Sequence, residues 1–242
     1  NRSVFYFSYI FISGLVILSW IFFSLFTLLI FLLIASYHFG KEDTSFLIKK
    51  NSNLDQLLFF VKGSMIIFAP LFFHTDETLG IFEILFVKDS IFLNFIKNEH
   101  WLINICLGLN FLSYFYFVFR NKFDNFEILF LDLLLILILN FVFSPLLAFT
   151  AYFCFLHSIR HIISIVLELD EANFLNGIKL FVKKALPLTI LTAILYLMAV
   201  FFLSNFYSFN NAILQVIFIG LASLTFPHIL LEYLVEKNET KN

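Results

Sequence analysis

VFYFSYIFISGLVILSWIFFSLFTLLIFLLIASYHF, residues 4–39, runs without a single Lys, Arg, Asp or Glu. As one helix it would be ~54 Å long at ~1.5 Å per residue, against a bilayer core of ~30 Å. The stretch therefore predicts two spans joined by a hairpin near Ser19, with one long tilted helix as the alternative. Either way it commits this part of the chain to lipid.

The rest of the 242-residue chain agrees. It is 61% hydrophobic and 13% charged, with mean hydropathy +0.96, where ordinary globular domains are ~45–50% apolar and ~25% charged. The predicted fold is all-α: a polytopic transmembrane helical bundle of about seven or eight spans, one integral membrane domain over residues 1–242. Spans are expected near 4–18, 20–38, 56–74, 101–119, 127–143, 145–167, 185–204 and 211–235. Between 75 and 100, the apolar run from Thr78 to Val87 is too short to cross and reads as re-entrant or interfacial, with Asp76 and Glu77 capping its helix. The chain opens on Asn1-Arg2 rather than Met, which predicts that an upstream helix is missing.

Charge placement orients the bundle. Lys41, Arg120, Lys179, Lys183 and Lys184 collect on one side with the terminal lysines, and Lys88 and Lys97 on the other. Lys/Arg-rich loops are cytoplasmic, so the expectation is a multi-pass protein of the cell's inner membrane. A formal net charge of -2 without a basic stripe excludes a nucleic-acid partner. Cys106 and Cys154, each within an apolar run, read as small fillers. The 38 phenylalanines are explained by AT-rich codon usage, although an aromatic tunnel would give the same count.

His157-Ser-Ile-Arg-His161 carries the chemistry. Two imidazoles one helical turn apart share a face and can reach one metal ion, and ionisable groups at membrane depth mark function. Depth relates four of the six histidines: His38, His157, His161 and His228 all lie toward the cytoplasmic ends of their helices. His74 ends a helix running the opposite way, though Pro70 could kink or break that helix. His100, beside Trp101, reads as interfacial. All-nitrogen ligation fits iron, copper or zinc. Asp43 and Glu232 are placed to accept the second ring N–H of metal-bound imidazoles. Arg160 needs a counter-charge from Asp43, Glu77 or Glu232, and Asp132 is paired with Lys62.

Four motifs follow in order: Ser36-Tyr-His-Phe-Gly-Lys-Glu-Asp43, Pro70-Leu-Phe-Phe-His-Thr-Asp-Glu-Thr78, His157-Ser-Ile-Arg-His161 and Pro227-His-Ile-Leu-Leu-Glu232. Together they resemble the Brp/Blh family of bacterial and archaeal membrane β-carotene cleavage dioxygenases, over residues 36–232. The resemblance implies an Fe²⁺ enzyme that splits β-carotene at its central double bond with O₂. Two molecules of retinal result, supplying chromophore to a microbial rhodopsin. It implies His38, His157 and His161 as iron ligands, with a fourth histidine from a Pro-His-Gly motif that this chain lacks. His74, His228, Asp43, Glu77, Arg160 and Glu232 then become candidates for orienting those ligands or lining the substrate pocket.

Three other classes compete. A bis-histidine haem protein fails because two ligands on one turn of one helix cannot sandwich a haem. A membrane di-iron desaturase would need more histidine boxes than six histidines provide. A polytopic transporter using buried His and Arg for anion or proton handling is the alternative, but the repeat symmetry of such folds is absent from the sequence.

Overall fold

A computed structural model describes residues 2–44, 52–120 and 126–239, with side chains described from 7 to 230 within those limits. Among the described residues every regular element is helical. The order is α1 Arg2–Phe22, α2 Ser24–Glu42, α3 Asn53–Gly63, α4 Met65–Phe73, α5 Thr75–Ile84, α6 Ser90–Asn98, α7 His100–Arg120, α8 Phe126–Val142 and α9 Pro145–Ala151. A π-helical turn, Tyr152–His157, leads into α10 Ser158–Leu169, and α11 Phe174–Leu203 and α12 Phe209–Glu239 follow. Six stretches are long and apolar enough to cross a membrane: Ser24–Glu42, Asn53–Phe73, His100–Arg120, Pro145–Leu169, Phe174–Leu203 and Phe209–Leu230, with Phe7–Phe22 a shorter apolar helix. The chain is a membrane protein built as an α-helical bundle.

The opening stretch is a hairpin. Ser19 Oγ and Thr27 Oγ lie 2.7 Å apart, whereas eight residues of straight helix would separate their backbones by ~12 Å. Trp20 and Phe31 rings also meet, with centroids 6.2 Å apart. The turn falls at Phe23, four residues beyond the predicted Ser19. A serine does not itself stop a helix, and no Gly or Pro marks the break.

The chain divides into two compact units, Asn1–Ile34 with Leu79–Asn94 and Tyr196–Asn242, and Ala35–Thr78 with Phe95–Leu195. In the first, α1 lies along α12, and the Tyr9 hydroxyl donates to the Leu224 carbonyl at 2.7 Å. The end of α5 is closed by side chains from elsewhere in this unit. Trp20 Nε1 donates to the Leu85 carbonyl at 2.9 Å, Ser24 Oγ to Phe86 at 2.8 Å and Gln215 Nε2 to Ile84 at 3.0 Å. Helix-terminal carbonyls have no intrahelical donor and cannot be left bare in an apolar setting. Phe86 takes φ 70° to make this turn, a conformation that L side chains adopt at a cost. An apolar cleft of about 350 Å³ lies between α1, α2 and α12, lined among others by Val16, Ile30, Phe31 and Phe226.

In the second unit, Phe59, Tyr114, Phe117, Val118 and Leu129 form a buried core joining α3, α7 and α8. Phe59 and Phe117 stack with centroids 5.7 Å apart. The span expected near 56–74 is interrupted at Ser64, whose hydroxyl accepts from Asn110 at 3.2 Å. Ser52 and Asp55 form a capping box at the start of α3, and Tyr116 donates to Asp55 at 3.0 Å. Where α2 crosses α3, a side chain on Gly40 would collide with the Phe59 carbonyl, and one on Gly63 with the Ser36 carbonyl. Small residues let membrane helices approach to backbone contact, so the glycine of the His-Phe-Gly motif is a packing requirement. The helix expected to start near Thr78 starts at Thr75, with Asp76 and Glu77 in its first turn.

Candidate metal centre

His38, near the end of α2, and His157, closing the π turn, are both buried. Their rings stand 5.5 Å apart between centroids at 70°. Phe39 packs edge-on against His157 at 4.7 Å and against Tyr152 at 5.7 Å, fixing the imidazole from the α2 side. His161 follows one turn later, half-buried, its ring parallel to that of His157 with centroids 6.4 Å apart. With metal–nitrogen bonds of roughly 2.1 Å, two imidazoles on one ion have centroids no more than about 6.5 Å apart. His38 and His157 fit that spacing. Parallel rings at His157 and His161 cannot both aim at one point, and one would have to turn about its Cβ–Cγ bond. Accordingly, among the described residues no three His, Cys, Asp or Glu side chains already meet at ligand distance.

The carboxylates behind these rings are consecutive. Asp43 Oδ1 lies 3.8 Å from His157 Nδ1, and Glu42 Oε2 lies 3.4 Å from His161 Nδ1. Each imidazole therefore turns Nδ1 toward an acid and leaves Nε2 on the other side of the ring. Asp43, a candidate from the sequence, lies beside His157; Glu42 is an addition. Its sequence signal is the run Lys41-Glu-Asp43, where a helix ending beside the histidines brings both acids within reach.

Arg160 forms a two-pronged pair with Asp132, one prong at 3.0 Å, and lies 3.5 Å from Asp43 Oδ1. This corrects two expectations. The main counter-charge to Arg160 is Asp132, with Asp43 second, and Asp132 is not the partner of Lys62, whose ammonium sits 5.0 Å over the Tyr114 ring. The planar guanidinium matches two carboxylate oxygens at once, a geometry lysine cannot offer. Tyr152, unmarked in the sequence, donates to Asp43 Oδ2 at 2.7 Å. Asp43 lies just past the end of the α2 span. Burial pushes its carboxyl up, but the His157 imidazole, the Lys62 ammonium, the Tyr152 hydroxyl and the Arg160 guanidinium outweigh burial and hold it down at about 2.

His74 caps α4 and hydrogen-bonds through Nε2 to the Asn140 carbonyl at 2.8 Å; Pro70 sits inside α4, one turn before the helix stops. Glu77 is exposed in the first turn of α5, and His100 is exposed at the start of α7. His228 is exposed on α12, in the other compact unit. The side chain of Glu232 lies outside the described residues, as do those of Arg2, Lys49, Lys50, Lys122, Lys237 and Lys241.

Comparison with known proteins gives this arrangement a family. A β-carotene 15,15′-dioxygenase from an uncultured marine bacterium, 66A03, is 30% identical over 230 residues, covering 92% of this chain and 77% of its own length. No solved structure matches. The family profile described as beta-carotene 15,15′-dioxygenase matches residues 1–236, and the chain belongs to that family.

Proposed function

We propose that this protein cleaves β-carotene at its central 15,15′ double bond with O₂, giving two molecules of retinal, and that it does so as a non-haem Fe²⁺ enzyme. Family membership supports the carotenoid and the reaction. The observation that carries the metal is the backing of His157 and His161 by Asp43 and Glu42. Metal-bound imidazoles characteristically give their second N–H to a carboxylate, and here two imidazoles face consecutive acids. His38, His157 and His161 would hold the iron. Bound there, iron would supply the means of activating O₂.

The remaining work falls to the chain itself. The Phe39, Tyr152 and Phe153 rings pack round His157 and keep bulk water from its carboxylate partner. Arg160 pairs with both Asp132 and Asp43 and offsets part of their charge. β-Carotene offers no hydrogen-bonding handle, so its orientation rests on shape and apolar contact. A bilayer enzyme meets such a substrate where it already dissolves. Retinal made there would serve a microbial rhodopsin, and the uneven distribution of Lys and Arg supports an inner-membrane protein with its Lys/Arg-rich loops cytoplasmic.

Expression of the whole protein in a bacterium that accumulates β-carotene tests the reading. The orange colour should fade and retinal appear, and His161→Ala should abolish both. Absence of retinal from abundant, iron-loaded protein would overturn the dioxygenase and favour the transporter.

A further inference from the structure

Tyr152 and His157 are five residues apart. In an α-helix, at 3.6 residues per turn, that spacing points two side chains about 140° apart. The segment Tyr152–His157 is instead a π turn. Its wider i→i+5 winding, roughly 4.4 residues per turn, brings residues five apart to within about 50° of each other. The rings of Tyr152 and His157 accordingly lie 6.3 Å apart and nearly parallel, at 26°. Both face one carboxylate, Tyr152 at Oδ2 of Asp43 and His157 Nδ1 at Oδ1. All three side chains are buried, Tyr152 to 3%, Asp43 to 4% and His157 to 6% residual exposure. Among the described residues neither Asp43 Oδ1 nor His157 Nδ1 has a hydrogen-bond partner. Arg160 reaches Asp43 Oδ1 only as an ion pair at 3.5 Å, so a buried acceptor and a buried ring nitrogen that lack hydrogen bonds and face each other are natural partners.

We propose that Tyr152, acting through Asp43, is a positioning residue for His157, and that the π turn exists to bring the two together. This rests on the metal reading proposed for the same histidines. A carboxylate only accepts hydrogen bonds, so the imidazole beside it carries its proton on Nδ1 and keeps the lone pair on Nε2. The Tyr152 hydroxyl occupies the other oxygen and stops the carboxylate from rotating. Arg160, held in turn by Asp132, fixes it from a further side. Tyr152 touches no reacting atom. It determines which nitrogen of His157 is offered, and in which direction.

The test uses the whole protein, stripped of iron and titrated with Co²⁺, whose ligand-field spectrum reports the donor set. Tyr152→Phe keeps the ring and removes the hydroxyl. It should weaken Co²⁺ binding about 10–100-fold, the usual effect of losing a partner behind a ligand, and shift the spectrum. Asp43→Asn should do the same, and the double variant should be no weaker than Asp43→Asn alone, because both changes break one chain of contacts. A folded Tyr152→Phe with wild-type affinity and spectrum overturns the proposal, as do additive losses. Should Tyr152→Phe not fold, nitrogen-15 imidazole spectra of the wild-type protein decide instead. An Nδ1–H tautomer at His157 is expected, and an Nε2–H tautomer overturns it. Wild-type protein that binds neither Co²⁺ nor Fe²⁺ sinks the metal reading itself, whereas the preceding failures leave that reading standing.

Discussion

Arg160 sits between Asp132 and Asp43, each only 4% exposed, with its own side chain one-third exposed. Arg160→Ala would leave two buried carboxylates, Asp132 and Asp43, without the guanidinium they share. Breaking a buried pair costs about 3–5 kcal/mol; partial exposure of the guanidinium lowers the expectation to about 2–4 kcal/mol. Thermal or denaturant unfolding in detergent reads this directly, and a loss below about 0.5 kcal/mol would show that the pair adds nothing to the fold. The histidines at 157 and 161 can be read from spacing alone, since four residues make one turn. Glu42, Asp132 and Tyr152 cannot. Their roles depend on which helices are neighbours, and apolar sequences carry little information about that, because lipid-facing and protein-facing positions use the same residues. Among the three acids suggested for Arg160, chain order offers no reason to prefer Asp43. Nor does it link Asp132 to Arg160, because a carboxylate alone in an apolar run shows no sign of which helix it faces, and the sequence suggests Lys62 for it instead.

The helical spans are readable from the chain, and their interruptions are not. Length against bilayer thickness favours a turn within residues 4–39 over one long tilted helix, and the turn exists. Its position at Phe23 is set by contacts such as Ser19 with Thr27, not by a breaker residue. The π turn is invisible for a similar reason: one extra residue per turn leaves no compositional trace. Gly40 yields a prediction about how two helices pack. Its hydrogen faces the α3 backbone, so Gly40→Ala should destabilise the protein by about 1–3 kcal/mol or more, the range for overpacking, because a carbonyl cannot move aside as a side chain can. Gly108 on α7 is the opposite case, since a methyl group placed on its Cα would meet nothing within 4 Å. Gly108→Ala should therefore be neutral or raise the unfolding midpoint by the helix-propensity gain of up to about 1 kcal/mol. Equal losses from both variants would show that α2 and α3 are not in backbone contact.

For the molecule as a whole, the arrangement across the membrane is testable from two lysines. Lys88 follows α5 and Lys179 lies in the first turns of α11, both exposed. Three crossings separate them if α7, α8 and the α9–α10 segment each span the bilayer. With Cys106 and Cys154 replaced by alanine, a membrane-impermeant maleimide should label Lys179→Cys only from the cytoplasmic face and Lys88→Cys only from the opposite one. Labelling from the same face would remove one crossing, and α8, at 17 residues, is the first to doubt.

α11 ties the protein to the thickness of its bilayer. Its 30 residues make a rod of ~45 Å at ~1.5 Å per residue, and none of its apolar window is buried. Its first eleven residues carry Lys179, Lys183 and Lys184, so only the apolar stretch 185–203, ~28 Å long, has to match a hydrocarbon core of ~30 Å, and the lysine-bearing end belongs beyond it. Lipid composition thereby enters the energetics of this protein: short-chain phospholipids should force a steeper inclination of α11 than long-chain ones, and the protein's stability becomes a property shared with the lipids that wet it.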